Sequence, residues 1–291
     1  MIDAGRRGRT SVRRWLCAIF ALVVAMILVG GLTRLSDAGL SITEWRPVTG
    51  ALPPMNEADW QAEFLSYQQS PQFKLMNSHM DLAGFKTIFW WEWAHRLLGR
   101  TIGGYLLLPL LYLTFARKLD PGKVKRLWTI GVLVGVQGFI GWWMVASGLV
   151  NRVSVSPYRL ATHLGMALLI LALAWRLFLD WEAAPQPAGA AKPSRSRWPA
   201  AMTGLVFFQM ILGAFVAGLD AGRSHTDWPT IDGHLLPNQY AALEPFWRNF
   251  FENTQAVQFN HRLVGYLAAG TALFIAWTFR SAPSRKWAAS L

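Results

Sequence analysis

Apolar residues in this chain come in long unbroken runs, and the charged residues collect mainly between them. Six runs reach the roughly 20 residues of helix that a ~30 Å hydrocarbon core requires. They are Trp15–Thr33, Thr87–Ala116, Leu127–Val150, Leu160–Leu179, Trp198–Leu219 and Val257–Phe279. The first, third and fifth contain no charged residue, whereas the second, fourth and sixth carry His, Glu or Arg. That alternation separates scaffold helices from working ones. The pattern predicts an all-α integral membrane protein, a bundle of six transmembrane helices.

Charge adds orientation. Of 28 Lys and Arg, 17 lie in the N-terminus, the loop Arg117–Arg126, the stretch Arg176–Arg197 and the C-terminus, against 8 in the opposite loops. Basic residues favour the cytoplasmic side, so both termini are expected there. The net charge of +12 is this bias and calls for no nucleic-acid partner. Arg6-Arg7-Gly8-Arg9 and the apolar run after it resemble a signal peptide. The run has full span length and no small-residue cleavage site, so it reads as an uncleaved anchor. Cys17, the single cysteine, lies in the first span and forms neither an intrachain disulfide nor a metal cluster.

The stretch Glu182–Arg197, rich in Ala, Pro, Lys and Arg, reads as a linker between two halves. The expected division is 1–181, a linker at 182–197, and 198–291. The outer loops Leu35–Phe85 and Asp220–Ala256 are long, rich in Trp, Pro and Gly, and able to fold over a site. The halves are related. His95-Arg96-Leu97-Leu98-Gly99 recurs as His261-Arg262-Leu263-Val264-Gly265, each one to two turns into an apolar helix. The segment from Gly30-Gly31-Leu32 through Asp37-Ala38-Gly39 is echoed by Ala217-Gly218-Leu219-Asp220-Ala221-Gly222. Both copies keep one orientation, a parallel repeat. A duplicated four-helix unit would repeat spans three and four as spans seven and eight. The chain reaches Leu291 without them, so the second copy is read as incomplete.

An imidazole inside a membrane segment is costly and marks a functional site. His95, His163 and His261 sit on three co-oriented spans, at depths agreeing within about two turns. Haem held across a helical bundle needs imidazoles from facing helices at similar depth. His95 and His163 form such a pair; the repeat would pair His261 with a histidine on the absent eighth span. Hydrogen bonding between helices is the plainer role for a single buried histidine. Zinc would prefer four clustered ligands, and no second histidine lies three or four residues from any of the three. His79, His225 and His234 fall in the outer loops and are expected to be solvated surface residues.

Longer motifs carry a family resemblance. Gly31-Leu32-Thr33-Arg34-Leu35, Gly39-Leu40-Ser41-Ile42-Thr43-Glu44-Trp45 and Trp91-Glu92-Trp93-Ala94-His95-Arg96 resemble the first outer loop and second span of haem A synthases. Tyr158-Arg159-Leu160-Ala161-Thr162-His163 and Gln258-Phe259-Asn260-His261-Arg262 are similar to their later signatures. The likeness runs from about Gly30 to Gly265, in the proteobacterial and mitochondrial branch. It implies an oxidoreductase that converts the C8 methyl of haem O to a formyl group, giving haem A for cytochrome c oxidase. It also implies that His95 and His163 frame substrate haem O, that His261 ligates a haem b cofactor, and that Glu92 is the family's acidic residue. A bacterial inner-membrane location follows. The partners it implies are haem O, the haem O synthase supplying it, membrane lipid and an electron donor; a missing helix pair would encourage association of copies.

Glu92 and His95 share a helix face at i and i+3. Glu92 could relay protons or stabilise a cationic intermediate, or orient His95 by a hydrogen bond. Arg96, Arg100 and Arg262 could bind haem propionates or snorkel to the interface. Histidine geometry alone leaves two other readings open: a b-type cytochrome that transfers electrons, and an assembly factor that binds haem without chemistry.

Overall fold

The computed structural model describes residues 2–182 and 197–280, with side chains from Thr10 onward. The linker expected at 182–197 lies, apart from its flanks Glu182 and Arg197, outside the described residues. Helix α1 (Ile2–Leu35) leads to a loop holding α2 (Glu57–Gln68) and α3 (Pro71–Met76), followed by α4 (Leu82–Phe115), α5 (Pro121–Ala146) and α6 (Pro157–Glu182). After the linker come α7 (Trp198–Gly218), the short α8 (Ala221–Ser224) and α9 (Asn249–Glu252), and α10 (Thr254–Phe279). Among the described residues, six helices are long and apolar enough to cross a membrane: α1 from Thr10, α4, α5, α6, α7 and α10. They are the six predicted spans.

Their boundaries are wider than hydropathy suggests, because polar caps begin helices before the apolar runs do. Asp81 accepts a hydrogen bond from the Gly84 amide at 2.8 Å and starts α4 at Leu82, where Thr87 was expected. Asp120 caps the Lys123 amide at 3.0 Å with Pro121 in the first turn, so α5 precedes the expected Leu127. Its other end falls short of Val150. The Ser147 and Gly148 amides bond back to Met144 and Val145, tightening the chain into a turn. One consequence touches the site: His163 and His261 stand within two turns of their helix starts, but His95 stands more than three turns into α4.

The chain forms two compact units, α1–α6 and α7–α10. In the first, α1 packs on α4 and α6, and α5 packs on the same two, closing a four-helix ring. Its apolar core lies at the end opposite the long loop. Leu16 and Ile19 of α1, Leu106 and Leu110 of α4, Leu127 and Ile130 of α5, and Ile170 and Ala174 of α6 are buried together there. At the loop end, a second cluster pins α2 and its surroundings to the first turns of α4. Trp60 meets Phe89 edge-on at 4.9 Å, and Tyr67 stacks on Phe85 at 5.3 Å. Each such aromatic pair contributes about 0.5–1.5 kcal/mol beyond its buried area. In the second unit α7 packs along α10. Filling one end of the ring with apolar side chains leaves the polar residues of the spans to the loop end.

Candidate functional site

Each of the three membrane histidines lies against a glycine of a neighbouring helix. A Cβ added at Gly30 of α1 would come within 3.0 Å of the His95 Nε2 on α4. At Gly141 of α5 it would meet the His163 Cε1 on α6 at 3.0 Å, and at Gly213 of α7 the His261 Cε1 on α10 at 3.2 Å. Few real Cβ contacts are that close, so a side chain at any of the three positions would push its ring away from the helix. Each glycine stands five residues before the last residue of its helix, Leu35, Ala146 or Gly218. That shared register sets each ring at the same distance from the end of the helix it packs on, although α4 begins earlier than predicted. All three rings remain partly exposed.

The same frame fixes the register of the duplication. Asp37 and Asp220 each follow a helix end with φ of 53°, in the left-handed region that Asp tolerates better than most residues. Each stands seven residues beyond its glycine, Gly30 or Gly213. Asp37-Ala38-Gly39 and Asp220-Ala221-Gly222 are therefore equivalent, and Ala38 and Ala221 are both fully buried. The Gly31-Leu32 and Gly218-Leu219 pairs, which the sequence comparison aligned, are offset by about one helical turn and are not equivalent.

One turn before the glycine, the units diverge. Gln137 precedes Gly141, and its amide nitrogen lies 3.2 Å from Nδ1 and 3.4 Å from Nε2 of His163 while donating to the His163 carbonyl at 3.1 Å. Gln209 precedes Gly213 and lies 3.4 Å from the His261 Nε2. The corresponding residue before Gly30 is Met26, whose methyl packs near Gly99. In the sequence these glycines and glutamines look like ordinary residues of membrane helices. The repeated Gln-x-x-x-Gly spacing at 137/141 and 209/213 was the signal that could have found them.

The arginines after the histidines hold the loops. Arg96 donates to the Ile42 carbonyl at 2.7 Å and the Glu44 carbonyl at 3.1 Å. Arg262 donates to the carbonyls of Asp227 and Thr230, each at 2.8 Å, and of His225 at 3.1 Å. The repeated His-Arg phrase thus joins a membrane imidazole to a clamp on the loop above it. Arg100 donates to the Arg46 and Pro47 carbonyls at 2.8 and 2.9 Å, and its Nη1 is buried without a partner. It also lines a cavity of about 420 Å³ under the first loop, with Trp93, Arg96 and Pro54. In this structure the guanidiniums expected to meet propionates are largely committed to backbone carbonyls.

Glu92 is 2 % exposed and accepts four hydrogen bonds. Its Oε2 takes the Ser41 hydroxyl and the Ile42 amide, both at 2.8 Å. Its Oε1 takes Arg96 Nη2 at 2.6 Å and Nε at 3.0 Å. Both oxygens face the loop and the arginine, so the expected hydrogen bond to His95 is not formed. Its counterpart in the second unit is Gln258, which is buried and donates to the His225 carbonyl at 3.4 Å. The buried carboxylate beside the histidine belongs to one unit alone of this repeated frame.

His225 corrects another expectation. It is buried, with Nδ1 3.1 Å from Asp232 Oδ1 and Nε2 3.0 Å from the Thr254 hydroxyl, so it braces the second loop against α10. His79 and His234 are exposed as expected. Nearby, Asp227 accepts the Thr230 hydroxyl at 2.7 Å and the Asp232 and Gly233 amides at 3.2 Å. The Thr230 hydroxyl is the main cause that lowers its pKa from 3.8 to about 2. The folded pKa lies below the unfolded one, so the contribution is present above pH 4 and lost as pH falls towards 2. Protection of the turn at 227–233, measured as hydrogen exchange relative to the intrinsic rate, is expected to fall over that window, and an Asp227→Asn variant to be less protected already at pH 6.

A family model described as cytochrome oxidase assembly protein matches residues 13–291. Proteins named heme A synthase match at similar reach. That of a Ruegeria species is 53% identical, covering 94% of this chain and 74% of the relative. That of Ruegeria pomeroyi is 54% identical over 92% and 72%, and that of Paracoccus denitrificans 49% over 97% and 76%. The chain belongs to the haem A synthase family. No solved structure matches it. Membership of the haem A synthase family, with six apolar helices, makes this a multi-pass membrane protein and an enzyme acting on haem. The histidine frame fits such a group: partly exposed imidazoles for iron, glycine cradles that admit their rings, and buried polar atoms without partners at Gln137 Oε1, Gln209 Oε1 and His261 Nδ1. Gly213→Val is expected to push the His261 ring off α7 and lower retained haem by about 10- to 100-fold, read from the Soret band per purified protein.

Proposed function

We propose that this protein is a haem A synthase that oxidises the C8 methyl of haem O to a formyl group, in a bacterial inner membrane with both termini cytoplasmic. Haem A so made would go to cytochrome c oxidase. The observation carrying the reading is the asymmetry of the two units: one frame of histidine, glycine and arginine clamp, but a buried carboxylate, Glu92, only in the first, against Gln258 in the second. A cofactor site repeated for electron transfer alone needs no such difference, whereas a site that modifies its haem does.

In this reading His95 and His163 frame haem O in the first unit, and His261 holds haem b in the second. Haem b supplies one-electron transfer when bound. Arg96 and Arg262 keep the two loops over the haems and exclude water from the reacting edge. Arg100, with a guanidinium nitrogen left over, is the arginine with a donor to give a propionate. Glu92 is assigned as a positioning residue. It fixes Ser41, Ile42 and Arg96, and so holds the first loop on the turn of α4 that carries His95. The protein partners, haem O synthase as supplier and an electron donor, belong to the same proposal. Expression in a host that supplies haem O, followed by extraction and mass identification of the haems, is the test. Haem A is expected; haem b without haem A would support an electron-transferring cytochrome instead.

A further inference from the structure

The pairing of glutamine, glycine and histidine occurs once in each unit, on different helices, with the same one-turn spacing: Gln137, Gly141 and His163, then Gln209, Gly213 and His261. The surroundings of Gln209 are informative. An amide N–H that donates to the His261 Nε2 needs a lone pair there, which puts the ring proton on Nδ1. That Nδ1 is buried and has no hydrogen-bond partner, and the Gln209 Oε1 is buried and has none either. A ring nitrogen and an amide oxygen are thus each left without a hydrogen bond. The Gln137 Oε1 repeats the pattern. Buried polar atoms are nearly always satisfied, and one left unpaired costs about 1–3 kcal/mol. Two orphaned amide oxygens at equivalent places point to a second arrangement in which they are used.

We propose that Gln209 and Gln137 are the positioning residues of His261 and His163, and that each serves its ring in two ways. In the arrangement seen here, the Gln209 amide nitrogen lies at the His261 Nε2, and the Gln137 amide lies over the His163 ring while donating to the His163 carbonyl; each holds its imidazole on its glycine. When that lone pair is given to iron, the amide turns and its oxygen accepts the ring N–H. Ligating histidines almost always donate their other N–H to an acceptor, which fixes ring orientation and raises ligand basicity. His95 has no such partner, because Met26 stands in the corresponding place. The frame therefore distinguishes histidines held by an amide from one held by packing alone. This inference rests on the haem-binding reading of the site.

The test compares Gln209→Met, which keeps length and matches Met26, with Gln209→Glu, which keeps an acceptor. The full chain is purified in detergent, and retained haem b and its midpoint potential are measured on the monodisperse fraction. Gln209→Met is expected to weaken haem retention by about 10- to 100-fold. Gln209→Glu is expected to retain haem, with a lower midpoint potential from the more basic imidazole. Gln137→Met should leave haem b in place and weaken binding of added haem O by a similar factor. Met variants equal to wild type in retention and potential would overturn the proposal, as would Glu and Met variants that fail alike. A wild-type protein that binds neither haem b nor haem O would overturn the haem-binding reading with it.

Discussion

His261→Ala is expected to strip the protein of haem b, lowering retained haem on the order of 100-fold or more, since even the outer partners of a ligand account for about 10- to 100-fold. His95→Ala and His163→Ala are expected to leave haem b bound and to reduce haem A formation to background. The two readouts, Soret absorbance per protein and mass of the extracted haems, separate the units. His261 packs on α7 through Gly213, within a unit that contains neither of the other two histidines. Loss of haem b in the His95→Ala protein would mean that the assignment of substrate and cofactor to the units is reversed.

Glu92→Ala should have the next largest effect, through stability first. The Glu92–Arg96 pair is buried, with side chains 3% and 13% exposed, and its carboxylate also holds Ser41 and the Ile42 amide. Removing one partner of a buried pair leaves an uncompensated charge and costs about 3–5 kcal/mol. The unfolding midpoint in detergent should fall accordingly, and the first loop should become sensitive to protease. Arg96→Ala alone should cost a similar amount, and the double variant less than the sum, because the charge left behind is then removed as well. Glu92→Gln keeps the shape and the two loop bonds to Oε2, so it should fold better than Glu92→Ala. Haem A formation by Glu92→Gln then reports the charge: loss with the loop intact assigns Glu92 an electrostatic part in the reaction, and full activity leaves it only the clamp.

The six spans were legible because membrane insertion is governed by composition over about 20 residues, and nothing in tertiary packing changes that requirement. Helix starts were less so. Asp81 and Asp120 are polar and fall outside any apolar window, yet their side chains complete the first turns of α4 and α5. The histidines were found through the cost of an imidazole in lipid. Their supports were not, since Gly30, Gly141 and Gly213 are ordinary small residues of membrane helices until a ring is seen against them. The sequence leaves the arginines either to a ligand's carboxylates or to the membrane interface; only the folded loops reveal the carbonyls that occupy Arg96 and Arg262. His225 looked solvated for a similar reason, because loop residues separated in sequence close over it.

By itself, the sequence determined the helical membrane class, the six spans, the repeated phrases and the presence of a histidine on each of three spans. These follow from local quantities: hydropathy, charge and repeated phrases. The tertiary structure decided which atoms face one another. It set the register of the repeat through Gly30 and Gly213, turned Glu92 towards its loop and away from His95, and placed the amides of Gln137 and Gln209 on the rings. Such contacts depend on the rotation and offset of neighbouring helices. Packing across the bundle sets those, and no single span encodes them.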